Sequence, residues 1–417
     1  MVTTNNRHIH KDFKLDIDSY RSLKHKYEFC GICEMPVKWH KAINYNIFDE
    51  HDNKWIDMTS GIFVANAGHS NPEIVQAIKN QLDKELMFAY QYNTDIRISF
   101  IEKLLEVSPK HFEKIVLLNS GSEATDAAYR LIKLWGKKYN KKYIVVFQGN
   151  YHGRVLGADL LGGTSNSTTS WSNIVDNEIH FVKFPKDGDT LNTNDLPPLN
   201  EIAAFFLETY QGWGSWFYPQ EYIDKLYTIS KDNNILFCFD EIQSGFYRMG
   251  TLYGYQTYGN YQPDIITLGK GMTSSLPLSA VLSTKDIIDI NPKANLSSTH
   301  AGNALCCAAG LANLNFLTNT EFQKDFQDRV IIFEKLNKEL QNEKGVETVN
   351  VRGMVSAIIV KDGNMGDHIT KYCIMNGVLP VWTKRESVKL GPPLTISKEA
   401  IIESMGAIKQ AIRSYNE

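Results

Sequence analysis

Lys270 stands between two glycines at the end of an apolar run, DIITLGK, which covers residues 264–270. Because glycine carries no side chain, this lysine can approach a bound molecule closely. Its amine could then bond to the carbonyl carbon of a ligand and later carry a proton. A lysine after a strand is most often a solvated surface residue, so other groups at the same place are needed to support this chemistry.

A pair of acidic residues, Asp240 and Glu241, ends a second apolar run, ILFCFDE, at residues 235–241. Side chains alternate along a strand, so the two carboxylates point to opposite faces and only one can enter a site. A carboxylate buried beside such a run is costly unless it meets a cation. The pattern therefore predicts one acid that faces a ligand, and the alternative is an N-cap for the next segment.

Gly121 and Ser122 follow the run KIVLLNS (114–120) and open a segment with apolar residues at helical spacing. A glycine and a serine at a helix N-terminus offer backbone N–H groups, a hydroxyl and the positive end of the helix dipole, which suit a phosphate. The alternative is a helix that is only capped. A P-loop is excluded, since the leading glycine is missing and Lys270 is followed by Gly271.

Tyr151, His152 and Arg154 follow the run YIVVFQG at residues 143–149. An exposed aromatic side chain after a strand could stack on a flat ring. The alternative is a half-buried aromatic pair in a loop. Taken together, a phosphate cradle, a stacking aromatic, a buried acid and a lysine are what a pyridoxal phosphate site needs. The combination is much more specific than any of its members.

Six strings carry a resemblance to a known family: NSGSEATDAA, YHGR, LETYQGWG, FDEIQSGFYRMG, PDIITLGKG and THAGN. Together they resemble the class III aminotransferases, which are pyridoxal-phosphate enzymes of fold type I. The likeness runs from about residue 35 nearly to the end, and it points to the branch of 4-aminobutyrate, ornithine and other ω-amino-acid aminotransferases. A protein of another family is not expected to combine the DEIQSGF motif with a lysine at this spacing.

The resemblance implies a role for each matching residue around the cofactor. These are Lys270 as the Schiff-base lysine, Asp240 as the partner of the pyridine nitrogen, Gly121 and Ser122 as the phosphate loop, Tyr151 as the stacking aromatic, Ile242 on the opposite ring face, Gln243 near the phenolic oxygen, and Thr299 reaching the phosphate of the neighbouring subunit. The match at Thr299 implies a homodimer with shared active sites.

Other positions bear on the substrate. The resemblance implies that Arg154 binds the acid group at the far end of the amino donor and that Gly61–Val64 lines the substrate channel. Trp213 stands where the family has a glutamate that gates the pocket. Lys389 stands where it has an anion-binding arginine, with Arg385 just upstream as an alternative cation. A lysine offers a point charge instead of a bidentate fork, so recognition of an α-carboxylate is expected to be weaker or relocated.

One further departure is Ala304, where the family usually has proline, and we interpret it as a packing difference. The leading functional hypothesis is transfer of an amino group from an ω-amino acid, such as 4-aminobutyrate, β-alanine, taurine or a diamino acid, to 2-oxoglutarate or pyruvate. A phospholyase or an amino-acid racemase or epimerase on the same fold is the alternative, since the gate glutamate is missing. A non-catalytic relative is disfavoured because Lys270 and Asp240 are both retained.

Seven short apolar runs precede or contain most of these residues. They cover residues 114–120, 143–149, 179–184, 202–208, 235–241, 264–270 and 278–283. Near-continuous apolar runs separated by helix-sized spacers predict an α/β fold, with a mostly parallel seven-stranded sheet covered by helices. The runs VRGMVSAIIV (351–360) and KLGPPLTIS (389–397) predict a smaller α+β domain. We expect an N-terminal segment (1–60) packed on that domain, a large cofactor-binding domain (61–319) and a C-terminal small domain (320–417).

Composition sets outer limits on the function. The chain has 417 residues, of which 43% are hydrophobic and 22% charged, as in ordinary globular proteins. Its net charge of −3 gives no basic excess for nucleic acid. The sequence shows no apolar run of membrane-helix length and no signal-peptide stretch, so we expect a cytoplasmic protein. Cys30 and Cys33 form a lone CxxC, which we interpret as two free thiols.

Overall fold

The computed structural model describes residues 2–17, 37–90, 92–163 and 174–416. Cys30 and Cys33 lie outside these ranges. A first sheet uses short strands from the N-terminal part of the chain: β1 (Val2–Thr3), β2 (His8–Ile9), β3 (Lys41–Ile43), β4 (Asn46–Phe48) and β5 (Lys54–Asp57). Their order is β1-β2-β5-β4-β3, and a C-terminal strand joins β5, as described below.

The central sheet contains all seven predicted strands, in the order β6-β12-β11-β10-β9-β7-β8. Their bounds are β6 (Lys114–Leu118), β7 (Tyr143–Phe147), β8 (Ile179–Val182), β9 (Ile202–Glu208), β10 (Leu236–Asp240), β11 (Ile265–Leu268) and β12 (Ser279–Ser283). Strand β12 is antiparallel to both its neighbours, and the other pairs are parallel. The predicted mostly parallel α/β fold is confirmed.

Helices cover both faces of this sheet and build the C-terminal part. The described helices are α1 (Pro72–Leu82), α2 (Asp95–Val107), α3 (Gly121–Tyr139), α4 (Leu156–Leu160), α5 (Gln220–Asp232), α6 (Lys285–Ile288), α7 (Ala304–Leu317), α8 (Thr320–Glu339), α9 (Gly363–Met375) and α10 (Lys398–Tyr415). Short 3₁₀ turns occupy Thr193–Asp195, Leu199–Glu201, Gly254–Thr257, Lys270–Met272 and Leu340–Asn342. None of the described helices combines the length and the hydropathy that a membrane crossing requires.

A third sheet is antiparallel and lies in the C-terminal part. It contains β13 (Val346–Arg352), β14 (Val355–Val360), β16 (Val381–Trp382) and β17 (Ser387–Leu390), in the order β13-β14-β17-β16. The sequence predicted a strand over residues 389–397, but β17 ends at Leu390. Pro392 and Pro393 follow, and proline has no N–H to donate to a sheet, so the strand cannot continue.

The N-terminal sheet and the C-terminal part are joined by strand β15 (Val378–Leu379), which pairs in parallel with β5. Trp55 of β5 is fully buried, and its indole Nε1 donates to Ile374 O at 2.8 Å. These contacts join the N-terminal segment to the C-terminal part, and the domain boundaries at residues 60 and 319 remain our proposal. The carboxyl ends of the parallel strands point to one edge of the central sheet, where the candidate site lies.

Candidate active site

A cavity of about 170 Å³ opens at the carboxyl edge of the central sheet. Five chain segments supply its walls: the start of α3, the loop after β7, the ends of β9 and β10 with the loops that follow, and the turn after β11. The lining residues are Gly121, Ser122, Tyr151, His152, Gly153, Glu208, Thr209, Tyr210, Asp240, Ile242, Gln243, Ser244 and Lys270. Seven of the residues that the sequence predicted for the cofactor therefore share one cavity.

Lys270 begins a 3₁₀ turn directly after β11 and has a left-handed backbone, with φ of 41°. A Cβ on the following Gly271 would lie 2.4 Å from Asn66 Nδ2, so a larger residue beside the lysine would displace the Asn66 side chain. Burial lowers the pKa of Lys270, and Asp240 and Glu208 oppose that shift. A lowered pKa favours the neutral amine, which is the form that attacks a carbonyl carbon.

Asp240 is the last residue of β10 and is only 6% exposed. Its Oδ2 lies 2.8 Å from His152 Nδ1, and its Oδ1 accepts a hydrogen bond from Ile242 N at 3.0 Å. The adjacent Glu241 points away from the cavity and accepts hydrogen bonds from Thr209 Oγ1, Ser244 Oγ and the N–H groups of Gly254 and Tyr255. Asp240 therefore faces the site, and Glu241 holds the loop behind it.

Sequence reasoning did not include His152 and Glu208 in the site. His152 is 2% exposed, and its ring packs against Phe206 with centroids 4.8 Å apart. Glu208 ends β9 directly opposite Asp240 of β10. Burial raises the pKa of Glu208 to about 7; His152 opposes the shift and Asp240 adds to it. The signal for Glu208 was available, because it ends the run IAAFFLE just as Asp240 ends ILFCFD.

The phosphate-binding candidates lie at the N-terminus of α3. Ser120 and Glu123 form a capping box there, in which Glu123 N donates to Ser120 Oγ at 3.3 Å and Ser120 N to Glu123 Oε2 at 2.9 Å. The helix is therefore capped, and Gly121 and Ser122 of its first turn still line the cavity. Gly153, with φ of 125°, is so close that a Cβ on it would lie 2.3 Å from Ser122 Oγ. The first turn faces the cavity, where its N–H groups can meet an anion.

Two further lining residues stand near the N-terminus of α3. A Cβ on Gly121 would lie 2.9 Å from Ile242 Cδ1, so the helix start packs directly against that side chain. Gln243 faces the cavity, and its buried Oε1 has no hydrogen-bond partner among the described residues. An unpaired buried acceptor is costly, and a ligand in the cavity can supply the missing donor.

Five predicted substrate or partner residues do not line the cavity in the described part of the chain: Arg154, Trp213, Thr299, Arg385 and Lys389. Arg154 is exposed beside it, with its guanidinium carbon 5.8 Å from the ring centroid of Tyr151. Trp213 is half-buried, and its Nε1 donates to Gln211 Oε1 at 2.7 Å. Thr299 and Arg385 are exposed.

Lys389 is buried behind the cavity wall, with 6% of its surface exposed. Its ammonium nitrogen lies 4.8 Å from the ring centroid of Phe63, on whose ring Arg248 also stacks at 5.4 Å. Phe63 packs in one buried cluster with Tyr210, a lining residue. Lys389 thus stands one side chain away from the cavity.

The stretch Gly61–Val64 belongs to an unusual turn. Ser60, Gly61, Ile62 and Phe63 all have left-handed backbones, with φ of 51°, 60°, 65° and 66°. Such conformations cost side-chain-bearing residues roughly 1–2 kcal/mol each. Arg248, which sequence reasoning missed, holds the turn through Ser60 Oγ at 3.1 Å and Asn66 Oδ1 at 2.7 Å. The substrate-channel role of Gly61–Val64 stays a prediction.

The cavity fits pyridoxal phosphate. It offers an amine with a lowered pKa, a buried carboxylate, an unpaired amide oxygen and an open helix N-terminus within one space. No cluster of metal-binding side chains occurs among the described residues. The family model of class III aminotransferases matches residues 31–412. The chain belongs to the class III aminotransferases. It is a pyridoxal-phosphate-dependent enzyme that transfers an amino group from a donor to a keto acid.

This class III aminotransferase has full-length relatives. It is 29% identical to the ornithine aminotransferase of Plasmodium yoelii yoelii, covering 98% of this chain and 99% of the relative. It is 30% identical to the ornithine aminotransferase of Brevibacillus brevis, covering 91% and 94%. The solved structure of the Toxoplasma gondii ornithine aminotransferase has the same fold, with a TM-score of 0.85, 22% identity and 96% coverage of each chain.

Proposed function

We propose that this aminotransferase takes the terminal amino group of an ω-amino acid and delivers it to 2-oxoglutarate or pyruvate. Candidate donors are 4-aminobutyrate, β-alanine, taurine and diamino acids of the ornithine type. The observation that carries the proposal is the exposed guanidinium of Arg154 over the ring of Tyr151, beside the cavity. A cation there suits an acid group several bonds away from the reacting amine. The two ornithine aminotransferase relatives support a donor with a terminal amine.

We further propose roles for the lining residues. Pyridoxal phosphate, when bound, supplies an electron sink for the carbon that carries the amino group. Lys270 would hold the cofactor covalently and move the proton at that carbon, and Asp240 would keep the pyridine nitrogen protonated. Gly121 and Ser122 bind the phosphate group. Tyr151 and Ile242 would hold the two faces of the ring, and Gln243 would lie near the phenolic oxygen.

The recognition of an α-carboxylate is proposed to be weak. Trp213 provides no acid at the gate position, and the Lys389 ammonium faces the Phe63 ring instead of the cavity lining. Arg385 is exposed at the end of the turn before β17 and stays a candidate substitute. A donor with one acid group, which Arg154 binds, fits this set of residues better than a donor with two acid groups that both need a cation.

We propose a homodimer with shared active sites. The segment before residue 91 exposes four large apolar side chains, Leu86, Met87, Phe88 and Tyr90, and a solvent-exposed patch of this kind suits a protein partner. The ring of Phe88 lies 5.2 Å from that of His300, next to Thr299. A second copy of the chain covering this surface would bring its own Thr299 to the neighbouring cavity.

Mixing two inactive variants tests the shared sites. We expect Lys270→Ala subunits mixed with Thr299→Ala subunits to give more activity than the two proteins apart, since one cavity of each mixed dimer keeps both residues. No gain after subunit exchange, shown by mass-tagged chains, would contradict the shared site.

A panel of amino donors tests the function. With each donor alone, the cofactor absorbance should change once, and 2-oxoglutarate or pyruvate should restore it. Donors with a terminal amine and an acid group should react faster than α-amino acids of equal length. Continuous turnover without any keto acid would instead indicate a lyase or an epimerase and would contradict the proposal.

A further inference from the structure

Among the described residues that line the cavity, Glu208 is the buried carboxylate to which the proposed function assigns no role. It is 7% exposed and lines the cavity together with Asp240 and Lys270. Asp240 is its direct neighbour in the sheet register. A second buried carboxylate beside the first is costly, so its retention at this place calls for contacts that offset the cost.

One oxygen of Glu208 binds the loop that carries Tyr151. Glu208 Oε2 accepts a hydrogen bond from the backbone N–H of Tyr151 at 3.0 Å. This loop lies between β7 and α4 and has no regular structure of its own over residues 148–155. The carboxylate therefore fixes the backbone from which the Tyr151 ring projects into the cavity.

The other oxygen of Glu208 lies beside Gly212, whose backbone N–H also hydrogen-bonds the carboxylate. A Cβ placed on Gly212 would lie 3.0 Å from Glu208 Oε1 and 3.1 Å from Gln243 Oε1, so both oxygens face the small space beside Gly212. Gln243 Oε1 is buried and has no partner among the described residues. A protonated Glu208 would supply the missing donor, and burial raises the pKa of Glu208 to about 7, where this form is populated at neutral pH.

We propose that Glu208 is a positioning residue that ties the Tyr151 backbone to the Gln243 side chain and so fixes two opposite walls of the cofactor site. The inference rests on the proposed function, in which Tyr151 stacks on the cofactor ring and Gln243 serves its phenolic oxygen. Glu208 itself acts through hydrogen bonds, as an acceptor toward Tyr151 and a donor toward Gln243.

Two substitutions separate this role from a general need for charge. In Glu208→Gln, the amide keeps an acceptor for Tyr151 N–H and gains an N–H donor for Gln243, so this variant should retain the properties of the parent enzyme. Glu208→Leu has a similar volume but no hydrogen-bonding group. We expect it to raise the dissociation constant of pyridoxal phosphate on the order of tenfold or more, and to reduce the visible circular dichroism of the bound cofactor.

Glu241→Gln is the matched control, because Glu241 is a buried carboxylate next to Asp240 that does not itself line the cavity. It accepts hydrogen bonds from the lining residues Thr209 and Ser244 and from the N–H groups of Gly254 and Tyr255. This variant should lower the melting temperature without changing the cofactor spectrum. If Glu208→Leu does not fold, Gly212→Ala inserts a methyl group between the Glu208 and Gln243 oxygens and should cause the same spectral change in a folded protein.

Parent-like affinity and spectrum in Glu208→Leu, or in Gly212→Ala where it is the variant that folds, would overturn the proposal. The proposal would also be overturned if Glu208→Gln lost the visible circular dichroism of the cofactor to the same extent as Glu208→Leu, because the carboxylate charge would then be what the site requires. Borohydride labelling of Lys270 in the parent enzyme shows separately whether the proposed site is correct, so the two failures are distinguishable.

Discussion

His152 Nδ1 lies 2.8 Å from Asp240 Oδ2, and both side chains are buried at the carboxyl edge of the central sheet. Asn150 Nδ2 lies 3.5 Å from the other ring nitrogen, which favours the tautomer whose Nδ1–H donates to Asp240. The imidazole therefore orients the carboxylate toward the cavity, and Ile242 N holds the second carboxylate oxygen at 3.0 Å.

Replacement of His152 should reduce turnover while the protein stays folded. His152→Phe keeps the ring contact with Phe206 but removes the donor to Asp240. A hydrogen bond to a charged group contributes about 1.5–3 kcal/mol, so we expect a rate loss on the order of tenfold or more. His111→Phe is the control, since His111 binds Pro263 O outside the cavity lining. An unchanged kcat in His152→Phe would show that Asp240 needs no support from this ring.

Asp240→Asn should lower turnover more severely and leave the cofactor bound. The amide cannot keep the pyridine nitrogen protonated, so the electron sink weakens. We expect a loss on the order of 10²-fold or more in the single-turnover rate with a donor. The absorbance of the bound cofactor reports its occupancy. Near-normal rates would remove Asp240 from the mechanism.

The seven central strands could be predicted from the sequence because they read as short apolar runs. Five of them, β7 and β9–β12, are buried on both faces along almost their whole length. The same runs led to Asp240 and Lys270, which stand at strand ends. Glu208 was not selected, because its register opposite Asp240 and its hydrogen bond to Tyr151 N join residues far apart in the chain. The packing of Arg248 on Phe63 could not be predicted, since it joins residues far apart in the chain and needs three side-chain-bearing residues with positive φ.

The turn Ser60–Phe63 depends on a glycine far away in the sequence. A Cβ on Gly391 would lie 1.7 Å from Phe63 Cε1, so Gly391→Ala must displace the ring or the β17 end. Overpacking of this kind costs about 1–3 kcal/mol, which chemical denaturation can measure. Gly406→Ala is the control: a Cβ there meets no atom within 4 Å, and alanine in helix α10 should stabilise the protein slightly. Equal stability of the two variants would refute the close contact.

Arg154 and Lys389 should affect different half reactions. We expect Arg154→Ala to raise the KM of the donor more than Lys389→Met does, since only Arg154 is exposed beside the cavity. A charge-assisted hydrogen bond contributes about 1.5–3 kcal/mol to that binding. Lys389→Met should affect the keto-acid half reaction more than the donor half reaction. Single-turnover kinetics of both halves measure this, and unchanged donor kinetics in Arg154→Ala would contradict the ω-amino-acid proposal.

Covalent attachment of pyridoxal phosphate at Lys270 can be measured by borohydride reduction of the holoenzyme followed by peptide mapping. Lys270 is the lysine that lines the cavity, and burial lowers the pKa of its amine. We predict that the pyridoxyl group is found on the peptide that contains Lys270, and that Lys270→Ala abolishes the label. A pyridoxyl group on any other lysine of the parent enzyme would contradict the account.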